Sequence, residues 1–411
     1  MRILWVKVGG LWPCNTGGRL RSFHMLKQLS KRHSITVLTS ADDAGQQQSL
    51  RRELPACAHV MSVSHRIPKW RSGRFAVALA RSWLSSLPVE IRRCSVPALR
   101  AEAGRRLLAG DVDLCIADFL AASINVPACS RVPLLLFSHN VEHMIWKRLA
   151  AVERRPLQRA ALELEWRKLR QFEASASVRA TLTVAVSQQD AAQIAGLAPG
   201  AEIRAIPTGV DTDYFTPGDT EPLAEEIVYV GSMDWRPNED AVRHFLRDIL
   251  PAVRLRIPAA RFTVVGRDPS PALRAEAQRH GATMTGTVAD VRPFVRKASV
   301  FVVPLRVGGG TRLKIFEALA MAKAVVATPV GAEGLPLVAN RHFVCADGPG
   351  AFAEAVISLM RDPARRTELG CNGCDLVKAQ YSWSQVTKTF DALCMEACEL
   401  HRDAGLRQRA A

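Results

Sequence analysis

A run of glycines followed by two cations and a carboxylate is the densest group of chemistry-bearing residues in the sequence. Gly308–Gly310 let the backbone approach a ligand closely, and Thr311 can cap the helix that follows. The free N–H groups at the start of such a helix form a site for anions. Arg312 and Lys314 place positive charge in the first turn, where it is unfavourable for the helix alone. A bound diphosphate would explain that charge, so the segment predicts a diphosphate site.

Glu317 lies three residues beyond Lys314, so both side chains can face the same side of the helix. A carboxylate at this place suits the paired hydroxyls of a ribose, as it does in dinucleotide-binding folds. The structural alternative is a glycine loop followed by a Lys–Glu pair on the surface. The coincidence of glycines, cations and a carboxylate after a predicted strand favours the ligand site.

Other motif residues also stand directly after predicted strands. Ligands of open parallel α/β sheets bind beyond the carboxyl ends of the strands, so these positions are candidate ligand contacts. They are Gly17 and Gly18 after the first strand, His139 after the run at 134–137, Gly231 and Ser232 after the run at 227–230, and Gly266 after the run at 262–265.

Short β-branched runs alternate with helical patterns along the 411 residues, which predicts doubly wound parallel sheets. Predicted strands lie at 3–8, 35–38, 59–63, 114–117, 134–137, 181–186, 203–206, 227–230, 262–265, 300–303 and 324–327. Two prolines and two glycines at 207–218 indicate a linker. The predicted fold is therefore α/β, with two Rossmann-like domains facing an interdomain cleft. The domains are 1–207, with a C-terminal helix at about 384–411 crossing back, and 218–380.

The formal net charge of +16 favours anionic partners. No zinc-finger, RNA-recognition or helix-turn-helix pattern is present, so nucleic acid is not an expected partner. The apolar run Met1–Val8 is short and interrupted by Arg2 and Lys7, unlike a signal peptide or a membrane span. We therefore expect a cytoplasmic protein.

Residues 65–106 contain ten Arg or Lys residues, against Glu90 and Glu102 as the acids. Trp70, Phe75 and Trp83 are interleaved with them. The stretch is typical of an amphipathic surface for an acidic membrane or a lipid-diphosphate acceptor. It is equally typical of a solvated basic face whose aromatic residues belong to the core.

Two patterns could indicate metal. Cys371 and Cys374, followed by Cys394 and Cys398, loosely resemble a zinc site, but the second pair has the i,i+4 spacing of a helix. The D-x-D tripeptide Asp211–Asp213 could hold Mg²⁺ or Mn²⁺, but turn-forming residues surround it. We therefore expect reduced, mostly buried cysteines, and neither a metal nor any other cofactor.

The segment 304–323 resembles the donor-binding helix of GT-B glycosyltransferases, in particular the retaining family 4. Other stretches of the chain are similar to that family and occur in the family's order. They lie at 140–142, 186–190, 206–215, 230–232, 265–266, 331–334 and 381–383. The similarity is stronger over 200–340 than over 40–130, and it is closest to members from bacterial polysaccharide gene clusters.

The resemblance implies a glycosyltransferase that moves a sugar from a nucleotide-diphosphate sugar to a glycan or lipid-linked acceptor. It further implies retention of anomeric configuration and a role in surface polysaccharide biosynthesis, at the inner face of the membrane. His139 and Glu317 would be the catalytic residues, His139 near the transferred sugar and Glu317 on the donor ribose. The implied donor-binding residues are Gly17, Gly18, Gly231, Ser232, Gly266, Gly309, Gly310, Thr311, Arg312, Lys314 and Glu317.

The sequence departs from the family pattern at three places. Gly309 stands where the first Glu of the paired-Glu motif falls, Ser232 where an Arg is usual, and Pro237 or Asn238 where a Lys is usual. Backbone amides of the glycine loop and the cations of the following helix can replace these groups. Two alternatives remain open: a GT-B sugar-nucleotide isomerase or epimerase, and a non-catalytic sugar-nucleotide-binding protein.

Overall fold

The structure is a computed structural model of the chain. It describes residues 1–12, 14, 16–41, 44–68, 72–128, 131–153, 155–218, 221–307 and 313–410. The chain divides into two compact units, one formed by residues 1–207 with 386–411 and the other by residues 208–385.

The first unit contains a sheet of seven strands that pair in parallel throughout. The strands are β1 (Arg2–Lys7), β2 (Ser34–Ala41), β3 (His59–Ser64), β4 (Leu114–Asp118), β5 (Leu134–Ser138), β6 (Leu182–Ala185) and β7 (Ile203–Ala205). Their order across the sheet is β3-β2-β1-β4-β5-β6-β7. The winding therefore reverses between β1 and β4, the switch point at which doubly wound sheets bind ligands.

Helices make the crossovers that parallel strands require. They are α1 (Gly17–Leu29), α2 (Ala44–Glu53), α3 (Gly73–Trp83), α4 (Val89–Arg93), α5 (Pro97–Leu108), α6 (Glu142–Val152), α7 (Pro156–Arg179) and α8 (Gln188–Leu197), with a 3₁₀ turn at Leu120–Asn125. Every residue of β4 and β6 is buried, as expected for strands that are covered on both faces.

The second unit repeats this plan with a six-stranded parallel sheet. Its strands are β8 (Leu223–Val230), β9 (Arg261–Val265), β10 (Thr283–Met284), β11 (Ala298–Val303), β12 (Ala324–Ala327) and β13 (Val344–Cys345), in the order β10-β9-β8-β11-β12-β13. Its helices are α9 (Arg236–His244), α10 (Leu250–Arg256), α11 (Pro271–Arg279), α12 (Arg292–Lys297), α13 (Leu313–Ala320), α14 (Pro349–Arg361) and α15 (Pro363–Leu376), with π-helical turns at Phe245–Ile249 and Val377–Tyr381. Here the switch point lies between β8 and β11.

The last helix, α16 (Trp383–Ala410), begins in the second unit and belongs to the first from Val386 onward. Its Phe390 ring lies 4.8 Å from the ring of Phe137 in β5. Its Asp391 carboxylate lies 2.7 Å from the imidazole of His33. These contacts attach the C-terminal helix to the first sheet.

The predicted α/β fold with two parallel-sheet halves is confirmed. Each predicted strand run overlaps an observed strand, while β10 and β13, of two residues each, were missed because they are too short to show a period. The predicted linker 207–218 includes a residue that packs into the second unit. Val210 is part of the second core and exchanges backbone hydrogen bonds with the chain around Ser382. A Cβ on Gly209 would lie 2.5 Å from the Trp383 ring, so this glycine permits the close packing.

Candidate functional site

The helix that carries the predicted donor residues is held by its apolar side. The buried residues of α13 are Ile315, Phe316, Ala318, Leu319 and Ala320. The Phe316 ring stacks on Tyr381 with centroids 4.7 Å apart. Lys314 and Glu317 are half-buried on the remaining part of the helix surface. Packing of the apolar side therefore fixes where these two polar side chains point.

The ammonium group of Lys314 lies at the carboxyl end of β8, next to the switch point. Its Nζ donates to the hydroxyl of Tyr229 and to Oδ1 of Asn238, both at 2.9 Å. A Cβ on Gly231 would lie 2.8 Å from that Nζ. A glycine at 231 therefore gives the ammonium group the room it occupies beside the strand end.

The predicted residues Ser232 and Gly266 lie in the same group of loops. A Cβ on Gly266 would lie 1.7 Å from the carbonyl oxygen of Gly231, so the two loops touch through their backbones. The Ser232 hydroxyl donates to Asp234 and accepts from Nε of Arg267 at 2.7 Å. A cation from the end of β9 thus stands beside the position at which the family usually has an arginine.

Glu317 ionises close to neutral pH. Burial raises the pKa of this carboxyl to about 7, and the positive charge of Lys314 opposes that rise. Its ionised form accepts hydrogen bonds strongly, whereas its protonated form does so weakly. Four further predicted donor residues, Gly309, Gly310, Thr311 and Arg312, lie outside the described residues, as does Gly308.

At the switch point of the first unit, a buried ion pair joins the ends of two strands. Lys7 ends β1 and Asp118 ends β4, and the two residues are direct partners in the parallel ladder. Nζ of Lys7 lies 3.0 Å from the Asp118 carboxylate, which also accepts from the Trp5 indole at 3.0 Å. Burial pushes the pKa of Asp118 up, but Lys7 and His139 outweigh burial and hold this pKa well below its usual range.

His139 is bound on both of its ring nitrogens. Nε2 lies 2.7 Å from the Asp118 carboxylate, and Nδ1 lies 3.1 Å from a guanidinium nitrogen of Arg21. Arginine can only donate, so Nδ1 accepts and Nε2 carries the proton that is donated to Asp118. Burial lowers the pKa of His139 to about 3, which keeps the ring neutral.

We expected His139 to lie near the transferred sugar, and that role stays a prediction. In the structure both of its ring nitrogens are bonded, to Asp118 and to Arg21. The sequence signal for this network was a charged residue at the end of each of two apolar strands, Lys7 and Asp118. That signal was missed because neither residue belongs to a recognised motif.

Helix α1 begins with Gly17 and Gly18. The side chain of Thr16 caps this helix by accepting a hydrogen bond from the backbone N–H of Arg19. A Cβ on Gly18 would lie 2.3 Å from the ring of Phe119, so Gly18 makes room for that ring. The Phe119 ring stacks on His139 at 3.8 Å between centroids. Phe119 also has a left-handed backbone, with φ of 78°, which is costly for a residue with a large side chain.

A cavity of about 270 Å³ opens beside Phe119. Its walls are largely apolar, and Ile91, Leu120 and Leu169 contribute to them. The half-buried carboxyl of Glu142 also lines it, and burial together with Glu173 raises the pKa of that carboxyl to about 7. Lys7, Arg19 and Glu90 line it as well, so the cavity combines apolar surface with charged side chains at the carboxyl edge of the sheet.

The residues of the two patterns that could indicate metal form local hydrogen bonds or are buried in helices. Asp211 accepts from the backbone N–H groups of Asp213 and Tyr214, at 3.2 and 3.0 Å. Cys374 is buried in α15 and Cys394 is buried in α16. Within the part of the chain that the structure describes, no three His, Cys, Asp or Glu side chains are grouped closely enough to hold a metal ion.

Sequence models of two glycosyltransferase families match successive parts of the chain. The model described as Glycosyltransferase Family 4 matches residues 17–214, and the model described as Glycosyl transferases group 1 matches residues 224–362. Together with the two parallel-sheet units, these matches show that the chain belongs to the GT-B glycosyltransferases of family 4. The family resemblance inferred from the motifs is thereby confirmed.

Two relatives from Mycobacterium tuberculosis match part of the chain. A GDP-mannose-dependent alpha-(1-6)-phosphatidylinositol monomannoside mannosyltransferase is 29% identical over an alignment of 211 residues that covers 45% of this chain and 54% of the relative. A phosphatidyl-myo-inositol mannosyltransferase is 30% identical over an alignment of 201 residues that covers 46% of this chain and 52% of the relative. The match therefore spans about half the length of each relative.

Solved structures share the fold over nearly the whole chain. Sucrose-phosphate synthase from Thermosynechococcus elongatus aligns with a TM-score of 0.67 at 17% identity, covering 96% of this chain and 98% of that protein. Anabaena HepE in complex with UDP aligns with a TM-score of 0.66 at 13% identity, covering 96% and 100%. At these identities the likeness establishes the GT-B fold.

Proposed function

We propose that this protein transfers a sugar from a nucleoside-diphosphate sugar to a hydroxyl group of a glycan or lipid-linked acceptor. The observation that carries the proposal is the pair Lys314 and Glu317 on α13, with the Lys314 ammonium group held next to Gly231 at the carboxyl end of β8. A cation and a carboxylate one helical turn apart match a diphosphate and its neighbouring ribose.

In the proposed reaction, Lys314 binds the diphosphate and stabilises the negative charge that develops on it as the glycosidic bond breaks. The ionised carboxyl of Glu317 accepts hydrogen bonds from the ribose hydroxyls. The name of the mannosyltransferase relative, which includes GDP-mannose, and the UDP bound to HepE support a nucleotide donor. Retention of anomeric configuration and a role in surface polysaccharide biosynthesis are further parts of the proposal, and they rest on the family resemblance.

We place the acceptor in the cavity of the first unit, where Glu142 can accept a hydrogen bond from an acceptor hydroxyl. The names of both mycobacterial relatives contain a phosphatidylinositol group, which supports a lipid-linked acceptor. We also propose that α3 contacts an acidic membrane. Val77 and Trp83 are about half exposed on this helix, where Arg74 and Arg81 are also exposed.

Among the described residues, no helix is both long enough and apolar enough to cross a membrane. The membrane contact that we propose is a surface contact through α3, and it is tested separately from sugar transfer.

The experiment that tests the proposal combines binding and product analysis. UDP-glucose, GDP-mannose and related donors are screened by thermal shift at equal concentration, since a ligand that binds the folded protein raises its melting temperature. The donor that binds is then incubated with and without lipid-linked acceptors. A new glycoside that forms only with acceptor supports transfer. A changed nucleotide sugar formed without acceptor would indicate an isomerase, and binding without turnover would indicate a sugar-nucleotide-binding protein.

Lys314→Ala tests the donor site directly. We expect donor affinity to fall by roughly 100-fold, because a charge-assisted contact with the diphosphate is lost, with the fold retained. Titration calorimetry measures the affinity, and circular dichroism checks the fold. Arg361→Ala, a change in an exposed cation of the same unit, is the control, and it should bind donor like the wild type. Unchanged affinity in Lys314→Ala would refute the site assignment.

A further inference from the structure

We propose that Tyr229 and Asn238 are positioning residues, which hold the ammonium group of Lys314 in place for the donor diphosphate. The inference rests on the proposed function, and it assigns a role to two residues that no motif singles out as ligands. Neither residue needs to touch the donor, since both act through Lys314.

Both positioning residues are buried and rigidly connected. Tyr229 is fully buried near the end of β8, and Asn238, in the first turn of α9, is 4% exposed. The Tyr229 hydroxyl donates to Oδ1 of Asn238 at 2.6 Å. The amide nitrogen of Asn238 donates to the carbonyl of Ser232 at 2.8 Å. This second bond orients the amide so that its oxygen faces Lys314.

The three side chains form a closed triangle of hydrogen bonds. Nζ of Lys314 donates to both oxygens at 2.9 Å, and it also lies 4.4 Å from the centroid of the Tyr229 ring. A lysine side chain has many rotamers, and ordering it on binding costs free energy. Two fixed acceptors order it beforehand, so the donor meets an ammonium group that is already in position.

The two acceptors are neutral, and this allows them to hold the ammonium group while leaving its charge available. A tyrosine hydroxyl and an amide oxygen direct the ammonium group without cancelling its charge, whereas a carboxylate in the same place would form an ion pair with it.

Two substitutions separate positioning from packing. Tyr229→Phe removes one hydroxyl and keeps the ring, and Asn238→Asp keeps the shape and adds a negative charge beside Lys314. Tyr214→Phe removes a hydroxyl that bonds Asp290 instead, and Asn340→Asp adds the same charge in another loop of the second unit, so these are the matched controls.

The probes are inorganic pyrophosphate, UDP and GDP, titrated by calorimetry into the full-length protein at several salt concentrations. We expect roughly tenfold weaker binding for Tyr229→Phe and at least that loss for Asn238→Asp, from the strength of hydrogen bonds to charged groups. The Asn238→Asp variant should also show a shallower dependence of affinity on salt, because its ion pair removes one effective charge. Tyr229→Phe changes no charge, so its salt dependence should stay that of the wild type and its loss of affinity reports positioning alone.

One combination of binding results refutes the inference. If Lys314→Ala loses pyrophosphate binding while Tyr229→Phe and Asn238→Asp bind like their controls, the positioning role is refuted and the donor site stands. If Lys314→Ala binds all three probes like the wild type, the proposed function itself fails. Thermal unfolding of each variant is recorded first, and Tyr229→Phe decides alone if Asn238→Asp does not fold.

Discussion

At the residue scale, the buried network around Asp118 and the carboxyl of Glu317 are in opposite electrostatic situations. Lys7, Asp118 and His139 form a buried network in which each charged or polar group is matched by another. Glu317 is half-buried next to a cation, and its pKa is raised to about 7. A matched network stabilises the fold, whereas a carboxyl that ionises near neutral pH makes ligand binding depend on pH.

Donor affinity should rise between about pH 6 and pH 8. With a pKa of about 7, the ionised fraction of Glu317 increases roughly tenfold over this interval, and the ionised form is the better partner for ribose hydroxyls. Calorimetry with the identified nucleotide sugar measures the change. Glu317→Gln should bind more weakly at pH 8 and show no rise, so a rise that persists in this variant would assign the titration to another group.

The same pKa shift makes the stability of the fold decrease, rather than increase, as the pH rises. The pKa of Glu317 is higher in the folded state than the ordinary 4.5, so its contribution to the free energy of unfolding is fully present below pH 4.5. That contribution is lost as the pH rises through about 7. Tight donor binding and maximal stability therefore favour different ends of this pH range.

His139→Ala should lower the free energy of unfolding by about 2–4 kcal/mol, because it leaves the buried Asp118 carboxylate with one partner fewer and opens space beside Phe119. Urea denaturation measures the loss. His59→Ala, at an exposed position in β3, should change the value by less than about 0.5 kcal/mol. Equal stability of the two variants would contradict the network described above.

At the element scale, the proposed donor site depends on contacts between loops and on the packing of one short helix. The loops after β8 and β9 touch at Gly231 and Gly266, and α13 is held by the stack of Phe316 on Tyr381. Since both loops and the helix lie at the carboxyl ends of the strands, the sheet brings together residues that are 35 to 85 positions apart in sequence.

Gly266→Ala should lower the stability of the second unit by about 3 kcal/mol, because the new methyl group would occupy the position of the Gly231 carbonyl oxygen. Chemical denaturation followed by circular dichroism measures this loss. Gly350→Ala is the matched control in the same unit, since a Cβ there meets no atom within 4 Å. The control should be neutral or slightly stabilising, and a similar loss in both variants would argue against the loop contact.

At the scale of the whole molecule, positive charge and exposed apolar residues coincide on the first unit. The chain carries a net charge of +16, and α3 exposes Arg74 and Arg81 next to Val77 and Trp83. Leu84, which follows the helix, is 90% exposed. An anionic lipid surface would complement the charge and cover the apolar side chains.

We expect the protein to float with vesicles that contain phosphatidylglycerol and not with pure phosphatidylcholine vesicles. High salt should reduce the binding, because it screens the attraction between arginines and lipid headgroups. Leu84→Ser should weaken flotation several-fold, whereas Leu255→Ser, at a leucine 83% exposed in the second unit, should not. Equal flotation of both variants would exclude the C-terminal end of α3 as the contact.

The periodicity of the sequence determined the alternation of strands and helices, because every buried strand of a parallel sheet is a short apolar run with turn-forming residues after it. The same local signal placed Gly231 and Ser232 after a strand and Lys314 in the first turn of a helix that follows another strand, and it predicted a diphosphate site. Contacts between distant residues were decided by the tertiary structure alone. Burial and neighbouring charges set the pKa of Glu317. His139 forms hydrogen bonds with Asp118 and Arg21, and Lys314 forms one with Tyr229. Each of these depends on side chains that only folding brings within a few ångströms.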